Sequence, residues 1–340
     1  MQKGLEGVKM KIGKISNQLL QSVIFDTISY QRPEVIVRPN IGEDCSVLEF
    51  NQNENIVLST DPITGATKHI GKLAVHISCN DVSTSGAEPV GILVTILLPP
   101  GSTEDEFKVI MEDITKTAHE SNIEIIGGHT EITDAVTRPV VSTTVIGKVK
   151  KEDMIATNGA LIGQDIILTK WAGLEGTAIL ANEYEAMLVE ALGQEVVEKG
   201  KSLGDHLSVV PESKVAHKCG VTSMHDATEG GVLGAVWEVA ECANVGITID
   251  RDKILLKAET QQICDVFDIS PYRLISSGCM VMTTFNGKQC LEELEKLNIP
   301  AEIIGKVTEQ GKHIIIDGIL EDLMPPESDE LYKAFSRPLS

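Results

Sequence analysis

The sequence predicts an α/β (α+β) protein of two domains, and three observations carry that prediction. Strand-like and helix-like segments alternate along both halves of the chain. Its 340 residues, 42% of them apolar, are enough for about two cores of ordinary size. Between the halves, Lys150–Gly163 holds charges, Asn158-Gly159 and Gly163 with little periodicity, as a linker does. A boundary near residue 155 follows, dividing the chain into domains 1–155 and 156–340. Aromatic residues make up only 4%, so both cores are built mainly from Val, Ile, Leu, Ala and Met.

In chain order, residues 1–14 hold Lys3, Lys9, Lys11 and Lys14 against the single acid Glu6. This Gly-containing basic arm reads as a solvated terminus or, functionally, as a flap over phosphates. Apolar residues at helical spacing, from Ile15 through Leu19, Val23 and Ile28, predict a helix over Ile15–Ile28. Short strands are expected at Glu34–Val37, Ser46–Phe50 and Asn55–Thr60, each ended by Gly, Asn or Asp. A helix over Gly71–Ser85 precedes a buried strand, Pro89–Leu98, which Pro99-Pro100-Gly101 stops. Ser102 or Thr103 caps a helix running to about Ser121, with Asp105 and Glu106 in its first turn. Asn122–Ile126 and Val140–Val149 are strands. In the second half, strands are expected at Asp165–Thr169, Val221–His225, Gly246–Asp250, Met280–Thr284, Glu302–Thr308 and His313–Ile316. Helices are expected at Gly176–Glu183, Glu185–Lys199, Pro211–Lys218 and Gly230–Cys242.

Fifty acids against 29 bases give a net charge of −21. A diffuse charge of that sign disfavours nucleic acid and anionic membranes. An anionic substrate would need local positive charge or a metal. The seven cysteines are odd in number and form no C-x-x-C pair, which fits a reduced cytoplasm and argues against a zinc ribbon. No apolar core of a signal peptide follows the polar residues 1–14. The longest apolar run, Val90–Leu98, is too short to span a bilayer. A cytoplasmic location with no membrane partner is expected.

Four polar signatures punctuate the first half: Ile41-Gly-Glu-Asp44, Ser59-Thr-Asp61, Asn80-Asp81 and Gly127-Gly-His-Thr-Glu131. Taken singly, each reads as a turn or cap. As a set they read differently. Asn80-Asp81 lies inside the apolar, small-residue segment Leu73–Gly86, where a buried Asp needs a partner. Asp44, Asp61 and Asp81 brought together would repel, and Mg²⁺, which takes one or two carboxylates with substrate phosphates, would remove that repulsion. Lys72 is a solvated helix-end lysine or a phosphate contact. Gly127-Gly128 can let backbone approach a phosphate. No P-loop and no dinucleotide-binding glycine pattern occurs. In the second half, His225-Asp-Ala-Thr-Glu-Gly-Gly231 joins a strand to a helix. Its helix N-terminus offers N–H groups to an anion, unless Thr228 or Asp226 simply caps it.

In this order the motifs resemble the superfamily of aminoimidazole ribonucleotide (AIR) synthase, thiamine-monophosphate kinase, selenophosphate synthetase and the hydrogenase maturation protein HypE, and within it the HypE-like members. The resemblance runs from Gly13-Lys14 through Gly42-Glu-Asp44, Thr60-Asp61, Gly71-Lys-Leu-Ala-Val75, Asn80-Asp-Val-Ser-Thr-Ser-Gly-Ala87 and Gly127-Gly-His-Thr130. It continues through Gly147-Lys148 and Asp226-Ala-Thr-Glu-Gly-Gly231 to Ile304-Gly-Lys-Val307, nearly the whole chain. It implies an AIR-synthase-like fold whose N-terminal domain dimerises through its sheet into a barrel-like interface. It also implies ATP bound largely by that domain and the dimer partner, with Mg²⁺ bridging phosphates to carboxylates. By motif, Asp44, Asp61 and Asp81 carry over as metal or nucleotide ligands. Lys14, Lys72, Asn80, Gly127, Gly128, His129 and Thr130 carry over to the nucleotide site.

Two departures from the family pattern stand out. HypE ends on a reactive cysteine, and this chain has no cysteine after Cys290. His129 stands where an acid is common, and Glu131 is the nearest carboxylate to replace it. The resemblance implies an ATP-dependent enzyme that phosphorylates an acceptor oxygen, with Asp81 in a direct role and His225 and Asp226 acting on the acceptor. The other reading is a non-catalytic nucleotide-binding partner in a maturation complex. A maturation protein is the expected macromolecular partner.

Overall fold

The computed structural model describes residues 13–14, 17–38, 47–64 and 66–336. Asp44 and residues 1–12 of the basic arm lie outside them, as does the Lys14 side chain. The chain falls into two compact units, residues 1–82 with 88–151, and residues 83–87 with 152–340.

In unit 1 the described elements are β1 (Gly13–Lys14), α1 (Asn17–Val23), β2 (Val35–Val37), β3 (Val47–Leu48), β4 (Glu54–Ile63), α2 (Ile70–Thr84), β5 (Glu88–Leu98), α3 (Glu104–Glu120), β6 (Glu124–Ile132) and β7 (Val140–Lys150). Five strands form an open sheet in the order β1-β6-β5-β7-β4, with β5 and β6 parallel and the other neighbours antiparallel. Residues alternate strictly along β7. Val141, Thr143, Val145 and Val149 are buried, while Ser142, Thr144, Ile146 and Lys148 are half-exposed. The buried set faces α2, where Thr143 Oγ1 donates to Ala74 O at 2.8 Å. Beside α2, α3 turns Phe107, Ile110, Met111 and Ile114 inward. Thr103 and Glu106 close a reciprocal capping box at its start. No helix of the described residues covers the other face. There Ile56, Leu58 and Leu93 are exposed at 51%, 62% and 36%.

The motif Gly127-Gly-His-Thr-Glu131, read from sequence as following a strand, lies inside one. β6 continues to Ile132, paired with β5 as far as Leu98. Glycines weaken strand propensity, so the local pattern ends early. Tertiary pairing requires one of them: a Cβ at Gly128 would stand 1.8 Å from Val94 O.

Unit 2 holds β8 (Asp165–Thr169), α4 (Leu174–Glu183), α5 (Glu185–Leu192), α6 (Gln194–Ser202), α7 (Val210–Ala216), β9 (Ser223–Asp226), α8 (Gly231–Ala243), β10 (Gly246–Asp250), α9 (Ala258–Phe267), β11 (Met280–Thr284), α10 (Gly287–Glu295), β12 (Ala301–Thr308), β13 (Lys312–Ile316), β14 (Ile319–Asp322) and α11 (Glu330–Ser336). Seven strands order as β14-β13-β10-β12-β8-β11-β9, with only β10 and β13 parallel. Ile167, Met224, Met280 and Met282 pack with Val215 of α7 and with Cys290 and Leu294 of α10. The alternate residues Ile166, Leu168 and Val281 are equally buried, and α8 packs beside β9, β10 and β11. The helix expected over Glu185–Lys199 is two helices, because Gly193, at φ 87°, ends the first in the left-handed region. α9, α10, β14 and α11 have no counterpart in the sequence expectations. Among the described residues no helix is long and apolar enough to cross a membrane.

Candidate functional site

In unit 1 the carboxylates gather on the helix-covered side of the sheet. Asp81 lies on α2, and Ser59 Oγ of β4 donates to its Oδ2 at 2.6 Å. Ser59 pairs with Val145 and Asp61 with Thr143, so Ser59 and Asp61 share the face that α2 covers. Asp61 and Asp81 are both half-buried. Asn80 is fully buried beside Asp81.

Other members of the sequence-derived set stand elsewhere. Lys72 is nine residues before Asp81 on α2, about 13 Å along the axis and half a turn round it. His129 pairs with Thr95 and Glu131 with Leu97, which places them on the open face, opposite to Asp61. β5 and β7 lie between β6 and β4, roughly 14 Å in all. Within one chain His129 therefore meets neither Asp61 nor Asp81. It meets Glu131, with Nε2 and Oε2 at 3.2 Å. Thr130, pointing the other way, is buried. Lys14 stands opposite Glu131 in register. No group of three or more His, Cys, Asp or Glu side chains able to hold a metal occurs among the described residues. What this side offers is two carboxylates, the number Mg²⁺ takes when phosphates complete its shell.

An ion network braces the same unit. Arg32 bridges Glu34 at 2.9 Å and Glu88 at 2.8 Å, and Lys148 joins Glu34 at 2.5 Å. Burial opposes ionisation of Glu34, yet the hydrogen bonds from Arg32 and Lys148 outweigh it and hold the carboxyl at about 2. The buried Glu124 at the start of β6 takes Arg38 at 2.6 Å.

In unit 2, His225 and Asp226 end β9, the edge strand beside β11. His225 Nε2 lies 2.9 Å from Glu238 Oε2 of α8. Asp226 is buried near Glu175, a carboxyl in the first turn of α4 that sequence reasoning did not single out. Burial pushes Glu175 up to about 7. Ser277 pulls against that rise, while Asp329 and Asp226 add to it. A lone acid between Gly173 and Gly176, in an otherwise apolar helix start, was the only local sign of this group. At the start of α8, where the sequence suggested an anion site, the cap residue is Gly230 and its N donates to Asp329 Oδ2 at 2.8 Å. Asp329 is 99 residues further along, beyond the reach of any local pattern.

Comparison with known proteins places both units. The N-terminal domain of the AIR synthase related proteins matches residues 42–149. Their C-terminal domain matches residues 162–318. A putative hydrogenase expression/formation protein of Methanocaldococcus jannaschii is 29% identical over 317 residues, covering 91% of this chain and 92% of that protein. The carbamoyl dehydratase HypE of Cupriavidus necator is 25% identical over 288 residues, covering 81% and 79%. A crystal structure of the hydrogenase maturation protein HypE in complex with ATP shares the fold with a TM-score of 0.76, at 19% identity, covering 95% of this chain and 97% of that one. With both of its domains matched in order, the chain belongs to the AIR synthase related family, as a HypE-like member.

Proposed function

We propose that this protein is an ATP-dependent, Mg²⁺-requiring enzyme of the HypE-like type, which phosphorylates an oxygen of an acceptor substrate. The observation that carries this reading is the carboxylate pair in unit 1. Asp81 is held by Ser59, with Asp61 on the same side of the sheet. The HypE relatives, one of which was crystallised with ATP, support it.

Asp61 and Asp81 are the described residues that would hold Mg²⁺, joined by Asp44, and the ion would neutralise phosphate charge. Ser59 fixes the Asp81 side chain. Lys72, Asn80, Gly127, Gly128 and Thr130 belong to the nucleotide site in this reading, with Lys14 and the basic arm. His225, oriented by Glu238, and Asp226 act on the acceptor.

The open face of the unit 1 sheet supports a homodimer. Ile56, Leu58 and Leu93 form an apolar strip there, and His129 and Glu131 would then face the second copy. A maturation protein is the larger partner this reading implies, since a HypE neighbour is known in complex with HypF.

The test is thermal stabilisation and turnover by ATP with and without Mg²⁺, in wild type and Asp81→Ala. A ligand at about 100 times its Kd adds about 2.7 kcal/mol. The wild type should show that gain and hydrolyse ATP only with Mg²⁺, and the variant should lose both. Equal stabilisation and turnover in the two proteins would remove Asp81 from the site.

A further inference from the structure

Nothing in the spacing of the seven cysteines points to a pair. Folding nonetheless brings two of them together in unit 2. Cys219 closes the turn His217–Cys219 after α7, and Cys290 lies on the buried face of α10 with Leu294. Their thiols hydrogen-bond each other. Both belong to the core cluster that holds Val215, Val221 and Met282. One residue fastens both backbones. Asn286 Nδ2 donates to Cys219 O at 3.2 Å, and Cys290 N donates to Asn286 O at 3.0 Å. Thr284 Oγ1 adds a second bond to Cys219 O at 2.8 Å. Thiols already in contact need only side-chain rotation to come within bonding distance.

The two sulfurs differ in setting. Cys219 itself is buried, but His217, Lys218 and Gly220 around it are exposed. It lies under one surface turn, so local opening of that turn is enough to uncover it. Burial pushes both thiols up. Against that rise, Cys219 has the hydrogen bond from Cys290 and the charges of Lys218 and Lys296, with Glu293 opposing them. Cys290 has no such help, since Cys219 and Glu293 both push it further up. Cys219 is therefore the first of the pair to ionise, with Cys290 as its S–H donor. A thiolate backed by cations near the surface, with a second thiol in reach, is the arrangement in which peroxide oxidation ends in a disulfide.

We propose that Cys219 and Cys290 form a peroxide-responsive dithiol, which closes to a disulfide within unit 2 and reopens with a thiol reductant. The Cys219 thiolate, its proton given to water, attacks one oxygen of hydrogen peroxide. The O–O bond breaks and Cys219 becomes a sulfenic acid. The other oxygen leaves as hydroxide and takes up a proton. The Cys290 sulfur then attacks Cys219, and its proton passes to the departing oxygen. Water leaves and the S–S bond forms. Both thiols are oxidised, and the peroxide is reduced to water. The bond ties the turn ahead of β9 to α10, and β9 ends at His225 and Asp226. Nothing in this step depends on the nucleotide reading of unit 1, and no ATP enters its test.

The folded full-length protein is treated with hydrogen peroxide, alkylated in urea, digested without reductant and mapped by mass spectrometry. Peroxide is raised until the exposed Cys242 is oxidised, which shows that the oxidant has reached the protein. A linked pair of peptides carrying Cys219 and Cys290 is expected, about 2 Da lighter than the sum of its thiol forms, and dithiothreitol should separate it. Oxidised Cys242 with Cys219 and Cys290 still alkylated as thiols overturns the proposal, as do links that join either cysteine only to another. The order of attack is read with dimedone, which captures sulfenic acids. Cys290→Ser should be labelled at Cys219, and Cys219→Ser should show about tenfold less label at Cys290. Equal labelling overturns the assignment of Cys219 as the attacking thiol. If either variant does not fold, the wild-type map decides alone.

Discussion

The two sheets bury themselves in different ways. In unit 1, β7 alternates between buried and half-exposed residues, and β4 shows the same period with Leu58 exposed at 62%. In unit 2 all five residues of β11 are buried, and four of five in β8. A sheet covered on both faces needs continuous apolar strands, whereas one with a single helical layer leaves a face for something else. The central strands of unit 2 are therefore covered on both faces. Unit 1 leaves the apolar strip of Ile56, Leu58 and Leu93 exposed and carries Asp61 and Asp81 on the opposite side.

The largest expected effect comes from breaking the closed unit. Lys170 and Glu212, with side chains 7% and 0% exposed, pair at 2.6 Å. Glu212→Ala leaves the lysine buried without its counter-ion and should cost about 3–5 kcal/mol in urea unfolding. A loss below about 1 kcal/mol would mean that unit 2 opens to water there.

Next comes a pH effect confined to the same unit. The folded Glu175 carboxyl sits at about 7, above its ordinary 4.5. Facing Asp226, Asp329 and Ser277, it contributes stability that is complete below about pH 4.5 and lost as pH rises through 7. Glu175→Gln should therefore be more stable than wild type by about 3 kcal/mol at pH 8, with no difference near pH 4. Chemical unfolding at the two pH values measures this, and a gap independent of pH would refute it. In unit 1 the sign reverses. Glu34, held at about 2, contributes above its ordinary value and loses that contribution as pH falls towards 2.

Least disruptive to the monomer, and sharpest for the comparison, is Leu58→Asp on the open face. The single chain should lose no more than about 0.5 kcal/mol. Light scattering should nonetheless show a wild-type dimer become a monomer. A wild type that is already monomeric at high concentration would leave the strip to a different partner.

Much of this was legible from local pattern. The apolar run Val90–Leu98 is a buried strand, and the acid-rich start after Thr103 is a capped helix. Asn80-Asp81 was conspicuous because polar residues interrupt a small, apolar helix. Less legible was the Gly127–Glu131 stretch. Two glycines hide strand character, and only pairing with β5 reveals it. Glu175, Ser277 and Asp329 left almost no trace, because they stand 52 to 154 residues apart in the chain.

The sequence by itself determined the two-unit α/β organisation, the acidic charge and the family, since these depend on composition, periodicity and ordered motifs. Only the tertiary structure decided which acids share a face. Side chains alternate with a period of two, so strand register assigns each one a face. By that rule Asp61 joins Asp81 on one side of the sheet, and His129 goes to the other. The occupant of the Gly230 amide was decided in the same way, by a carboxylate that folding alone brings to the turn.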